Sequence, residues 1–366
     1  MTTEATLLGR ALSGDVSWTS GGDWDQDALA AAAGEHGVTA LLWASLGTVT
    51  GRGASLRDSL APMVRAAATR DLLVQQEMRA LLEAVSAAGA RAMIFKGSAL
   101  AYTVYAQPWH RPRSDTDLLA STTERPLVAD VIESCGYART DALTSGTLVS
   151  HQVAYERTDA HGLHHVVDLH WKIVNPQVLA DVLSFDVLWR DAESAPALGR
   201  AARVPSRVAS ALLACVHRLA HHQGQDRLIW LYDLKLLAGA FGPADWVALR
   251  DLAIARGVAG LCLDGLREAR RHLGIRLPAD LEAALAAAAP GEASRQYLEG
   301  PVHKRDVLLS DLSVLPTWRA RLRLLREHAF PPAAFIRQRY GVRNPLWLPV
   351  LYVHRLVTGA SKWVRP

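Results

Sequence analysis

The segment FKGSALAYTVYAQPWHRPRSDTDLLA, residues 95–120, gathers residue types that handle phosphate and metal ions. Asp115 and Asp117 stand two apart, so they share one face if SDTDLLAS is a strand, where side chains alternate with period two. Two carboxylates held side by side repel each other; a divalent cation relieves that repulsion, and oxygen ligands of this kind suit magnesium. Ahead of them, Gly97 lets a backbone approach an anion, and Ser98 offers a hydroxyl and an N–H. The helix that should follow would turn its positive end to the same anion. Lys96, Arg111 and Arg113 add cations suited to a polyphosphate. An Asp-x-Asp pair or a Gly-Ser turn alone is common by chance. Together, at this separation, they point to phosphoryl or nucleotidyl transfer.

Displacement at phosphorus assisted by two metal ions calls for a further carboxylate. Asp168 is the best candidate, because it is embedded in HHVVDLHWKI, an apolar run where an unpaired aspartate is costly to bury. On that strand Asp168, His170 and Lys172 would share one face, with Val167, Leu169, Trp171 and Ile173 on the other. A salt bridge to a nearby arginine is the structural alternative for Asp168. Glu156, in VAYERT, is the second choice for the third carboxylate.

Gly97-Ser98, then Asp115-x-Asp117, then a later strand aspartate resembles the nucleotidyltransferase superfamily typified by DNA polymerase β. The longer pattern KGSALAYTVYAQPWHRPRSDTDLL followed by VDLHW is similar to its uncharacterised bacterial branch, as is HRLAHHQGQDRLIWLYDLKLL with its Arg-x-x-Trp-x-x-Asp pattern. The resemblance covers about Met93 to Leu237 well and the basic, proline-containing C-terminus more loosely. It implies that Gly97 and Ser98 hold the triphosphate of an NTP and that Asp115 and Asp117 ligate two Mg2+ ions, with Mn2+ as a substitute. Asp168 would complete the metal site and assist deprotonation of the acceptor hydroxyl. The spacing from Ser98 to Asp115 is on the long side for the superfamily, and no acceptor transfers with the resemblance.

These side chains need strands and helices to place them. RAMIF reads as a short buried strand, and KGSALAYTVYA as a turn opening a helix. SDTDLLAS reads as a second strand, TTERPLVADVIESCGY as a helix ending at Gly136, and SHQVAYERT and LHHVVDLHWKI as a hairpin turned at DAHG. Before this core, DQDALAAAAGEHGVTALLWASLG and AAATRDLLVQQEMRALLEAVSAAGA carry apolar residues at helical spacing. After Pro205 almost everything reads as helix. The expected fold is therefore α+β: a polymerase β-like nucleotidyltransferase core, a small mixed sheet with helices, flanked by N-terminal helices and a larger C-terminal helical domain. The expected division is 1–70 for the N-terminal helical segment, 71–200 for the core and 201–366 for the helical domain.

A chain of 366 residues, half of them hydrophobic and 21% charged, can bury a substantial core. Its net charge of +4 does not single out a nucleic-acid partner. Cys135, Cys215 and Cys262 are odd in number and lack C-x-x-C spacing, which argues against a disulfide framework and a zinc knuckle and fits a reducing, cytoplasmic setting. The N-terminal residues lack the pattern of a secretory signal, and no apolar run is long enough to span a bilayer. PLWLPVLYVHRLV is expected to form a buried helix of the C-terminal domain, with a membrane-surface position as the alternative. No P-loop and no Gly-x-Ser-x-Gly elbow is present, which disfavours P-loop kinases and common serine hydrolases.

Two further constellations stand out. His217 and His221 are four apart, as in zinc helices, with Cys215 and His222 close by, but no third ligand is evident. Arg227, Trp230 and Asp233 share a broad helix side; they form either an ion pair packed on a tryptophan or a nucleotide contact, with Trp230 stacking on the base and Arg227 meeting phosphate.

The sequence thus predicts a magnesium-dependent nucleotidyltransferase that moves an NMP from an NTP, expected to be ATP, to a hydroxyl of an unidentified acceptor and releases pyrophosphate. A catalytically silent nucleotide-binding regulator is the rival of another class. A toxin-like enzyme that modifies tRNA or protein is a third reading, permitted by the basic C-terminal region.

Overall fold

A computed structural model of the chain describes residues 2–16, 18, 24–48, 50–140, 146–222, 227–299 and 304–364. The side chains of His221 and His222, part of the histidine cluster singled out above, lie outside that description.

Four helices lead the chain: α1 (Thr3–Ser13), α2 (Gln26–Glu35), α3 (Thr39–Leu46) and α4 (Arg52–Ala87). The helical stretch expected over DQDALAAAAGEHGVTALLWASLG forms α2 and α3, divided where Gly37 turns left-handed at φ 69°. Helix α4 is 36 residues long and runs through Pro62 without interruption. The expected boundary at residue 70 falls inside it. Leu56 and Leu60 from its first half pack into a core shared with α1–α3, while Val74, Met78, Leu81, Leu82 and Val85 from its second half back the sheet.

The core follows as β1 (Ala92–Ile94), α5 (Lys96–Thr103), β2 (Thr116–Ala120), α6 (Arg125–Ser134), β3 (Ala138–Arg139), β4 (Gln152–Thr158) and β5 (His164–His170). These strands form one mixed sheet in the order β1-β2-β5-β4-β3. Only β2 and β5 pair in parallel, and their register sets Asp117 opposite Asp168. Period two then decides the faces. Leu118, Ala120, Val167 and Leu169 point to the α4 side and pack there with Val128 and Ile132 of α6. Asp117, Leu119, Asp168 and His170 occupy the other face, where Leu119 joins Met93 in the larger core built with the helices. The expected face of Asp168, His170 and Lys172 stops at His170, where the strand ends; Lys172 lies beyond it and pairs with Asp181 at 2.8 Å.

Two short helices, α7 (Gln177–Ala180) and α8 (Phe185–Arg190), and a two-stranded ribbon, β6 (Glu193–Ser194) with β7 (Arg203–Val204), lead out of the core. Helices α9 (Arg207–His222), α10 (Leu228–Gly239), α11 (Pro243–Ala255), α12 (Ala259–Leu273) and α13 (Ala279–Ala288) pack on one another and on α1–α3. The amphipathic pattern of α9 shows in the burial of Leu212, Cys215, Val216 and Leu219 on one side.

Last come α14 (Lys304–Val314), α15 (Trp318–Ala329), α16 (Ala333–Tyr340) and α17 (Leu348–Val364). The apolar run expected to be a buried helix is α17 with the turn before it, and it is not buried: Leu346, Val350, Val353 and Val357 are exposed. The neighbouring α15 and α16 are arginine-rich and bury only Leu324 and Ile336, so they offer little core to cover it.

Candidate active site

All ten residues that the sequence singles out for nucleotide or metal line one cavity of about 680 Å³: Lys96, Gly97, Ser98, Arg111, Arg113, Asp115, Asp117, Asp168, Arg227 and Trp230. The sheet supplies one wall through the ends of β2 and β5, and α9 and α10 supply another through His217, Trp230 and Asp233. Glu156 is not among the lining residues. It sits two residues down β4 from the partner of Asp168, beside His164 at 3.7 Å.

The carboxylates face different electrostatic environments. Lys96 Nζ donates to Asp117 Oδ1 at 2.8 Å, and His170 Nε2 lies 2.9 Å from the same oxygen. Burial would raise the Asp117 carboxyl, but Lys96 and His170 hold it far below the ordinary carboxylate range. His170 is pushed down to about 4, first by burial and then by Lys96, so at neutral pH its ring is uncharged. Asp168 is different: Lys96 lowers its carboxyl only weakly, as the smallest of the causes acting on it. Gln152 Nε2 donates to its Oδ2 at 2.7 Å, and burial followed by repulsion from Asp115 and Asp117 drives its carboxyl up to about 7. Asp115 is raised for the same reasons, burial first and Asp117 second.

That imbalance bears on what the site can hold. Arg111 and Arg113 of the same cavity are paired with Asp233 and Asp71, Lys96 pairs with Asp117, and a divalent cation would relieve the repulsion left among Asp115, Asp117 and Asp168. Among the described residues, the tightest grouping of ligand atoms is Asp117, Asp168 and His170, all within 4.8 Å of one another. Two carboxylates and an imidazole suit magnesium or manganese by oxygen donation, with the nitrogen favouring manganese. For His170 to ligate through Nε2, its proton must sit on Nδ1.

The half of the cavity expected to receive an anion is built on α5. Phe95 is extended, and Lys96 follows at φ 54°, the only positive φ of a non-glycine among the described residues. A left-handed lysine costs about 1 kcal/mol or more, a strain characteristic of functional turns. It lets Lys96 reach back to Asp117 while the first turn of α5 opens on the cavity. Ser98 does not offer a loose hydroxyl: its Oγ donates to the Asp115 carbonyl at 3.2 Å, tying the helix start to the carboxylate strand. Gly97 has a further reason to be glycine. A Cβ there would lie 3.0 Å from Nη2 and 3.1 Å from Cζ of Arg111, whose guanidinium crosses the helix start.

The arginines are pinned rather than loose. Arg111 donates through Nε and Nη2 to Asp233 of α10 at 2.8 and 2.9 Å, and Tyr105 donates to the same carboxylate at 2.6 Å. Although burial works against it, Asp233 keeps Arg111 above its ordinary value. Asp233 therefore pairs with an arginine 122 residues away, and Arg227 does not share its helix-side ion pair. Arg227 caps α10, donates to the Glu35 carbonyl at 2.7 Å and lies 5.8 Å from the Trp230 ring centre. Arg113 is bound to Asp71 of α4 and to the Tyr102 hydroxyl. It is nearly fully buried and fastens the loop between α5 and β2 to the long helix.

Sequence reasoning named His170 only as part of a polar face and passed over Asp71 and Gln152. Period two from Asp168 was the available signal for His170. Gln152 and Asp71 come from elements whose approach no local pattern encodes.

A family model described as an uncharacterised nucleotidyltransferase matches residues 22–274, more than half of the chain. Among curated proteins, none matches it.

Proposed function

From the chain's membership of this nucleotidyltransferase family, we propose that it moves an NMP from an NTP, ATP in the first instance, to a hydroxyl-bearing acceptor and releases pyrophosphate. The observation that carries the reading is the Asp117–Asp168 register pair, facing one cavity with the first turn of α5. The triphosphate would lie over Gly97 and Ser98, where free N–H groups and the helix dipole favour negative charge. Trp230 and Arg227, on the opposite wall, would take the base and a phosphate oxygen. Asp115, Asp117 and Asp168, with His170 adjacent, would hold divalent cations, which supply charge neutralisation at the displaced phosphate when bound.

Asp168 would also take the proton from the acceptor hydroxyl as general base. The acceptor oxygen then bonds to the α-phosphorus as the bond to the β-phosphate oxygen breaks, and the pyrophosphate leaves with its charge. Lys96 compensates Asp117 in the arrangement described; a bound cation would free its ammonium for the phosphates.

The test is to incubate the full chain with each labelled NTP and a cell extract, with magnesium or manganese, and follow label and pyrophosphate. Transfer to an acceptor that falls by about a thousandfold or more in Asp117→Asn, with an unchanged circular dichroism spectrum, supports the reading. Full transfer in Asp117→Asn refutes the carboxylate assignment. Tight, metal-dependent NTP binding without pyrophosphate release would replace it with the regulator.

A further inference from the structure

The C-terminal helices carry a surface that the nucleotidyl-transfer reading does not use. Helix α17 turns one side inward: the Tyr352 hydroxyl donates to the Pro331 carbonyl at 2.5 Å, and Arg355 lies over the Phe335 ring. The other side shows Leu346, Val350, Val353 and Val357, spaced four, three and four apart, as one continuous stripe. Leu346 is 82% exposed and Val357 68%, and Trp347 stands beside them. Helix α15 repeats the spacing with Trp318, Leu322 and Leu325, all exposed. Single exposed apolar residues are ordinary on a protein surface, but two ordered stripes on adjacent helices are not.

Charge gives the stripes a context. Of the chain's 40 Lys and Arg and 36 Asp and Glu, residues 315–366 hold ten of the first and one of the second. The last 52 residues are therefore +9, and the preceding 314, with 30 basic and 35 acidic, are −5. The modest overall charge conceals this division. The segment also lies outside the residues that match the family.

We propose that α15–α17 form a docking surface for an anionic lipid bilayer, on which α17 lies parallel to the membrane plane. Apolar stripes among arginines are what an interfacial helix presents: aliphatic and tryptophan side chains enter the headgroup–acyl boundary while guanidinium groups meet lipid phosphates. The helix lies on the surface and does not cross, since among the described residues no helix is long and apolar enough to span. Nucleic acid satisfies the arginines but leaves valine and leucine against water, because it offers no aliphatic medium to receive them. A symmetric contact with a second copy of the chain would set one +9 surface against another.

The experiment is co-sedimentation of the full-length protein with vesicles of phosphatidylcholine, with and without phosphatidylserine. The protein should sediment with the anionic vesicles and not with the neutral ones, and added salt should weaken the association. Val350→Asp with Val353→Asp should weaken it at least about tenfold, as two partly buried valines are lost and two carboxylates face an anionic surface. Both positions are exposed, so the melting temperature should not move. Failure of the wild type to sediment with anionic vesicles overturns the proposal, as does equal sedimentation of the variant. Retention on RNA, or dimerisation that the double variant abolishes, without vesicle binding, assigns the surface to that occupant instead.

Discussion

Replacing Asp168 by asparagine should stabilise the protein while removing its activity. The Asp168 carboxyl rises on folding from an ordinary 3.8 to about 7, through burial first and then through Asp115 and Asp117. An acid raised on folding binds its proton more tightly in the folded chain. Folding therefore loses stability as pH climbs above 3.8, and the loss is complete above about 7. At about 1.4 kcal/mol per pH unit the full loss is about 4 kcal/mol. The carboxyl is partly open to the cavity, so screening reduces this to about 2 kcal/mol. Asparagine keeps an oxygen to accept from Gln152 and carries no charge to bury. In metal-free buffer, Asp168→Asn should melt about 2–4 °C above wild type at pH 8 and at the same temperature at pH 4. Adding MgCl₂ should raise the wild-type melting temperature and narrow the gap, because the cation stabilises only the chain that binds it. Thermal melts at the two pH values, with chelator and with magnesium, read all of this. A variant that melts at or below wild type at pH 8 in chelator would refute the charge argument, as would a gap that does not change with pH.

Gly97→Ala should raise the KM for NTP about tenfold while stability stays within about 1 kcal/mol, since the methyl group displaces the Arg111 guanidinium but improves helix propensity; steady-state kinetics and melts read the split, and an unchanged KM removes the steric argument. Asp233→Asn should destabilise the fold by about 3 kcal/mol, because Arg111 remains buried with half its partner gone; urea denaturation would show it as a lower midpoint at an unchanged slope, and an unmoved midpoint would mean that the pair contributes no stability.

The parts of the site that were legible in the sequence share one property: they are encoded within a strand or a turn. Asp115 and Asp117 are marked by their two-residue spacing at the start of a strand, Asp168 by being a polar residue inside an apolar run, and Gly97-Ser98 by its place between a strand and a helix. What fixes the arginines could not be read this way. Arg111 meets Asp233 across 122 residues and Arg113 meets Asp71 across 42, and nothing local distinguishes these aspartates from solvated ones. The C-terminal run misled for a different reason. Its composition suits burial, but burial depends on what lies opposite, and α15 and α16 supply arginines where a core would need leucines.

Those long-range pairs also explain why a small sheet comes with so many helices. The helices contribute carboxylates that pair with the arginines of the loop and fix where they stand. Asp71 of α4 holds the loop through Arg113, and Asp233 of α10 holds it through Arg111, so the loop is clamped at two points near its C-terminal end before any ligand arrives. Each clamp takes one guanidinium out of play as a free cation and returns a fixed wall beside Gly97. On the proposed reading, the triphosphate would then meet backbone N–H groups and Lys96, oriented by a strained turn, and Arg227 from the opposite wall, and preorganisation of this kind lowers the barrier to group transfer at phosphorus.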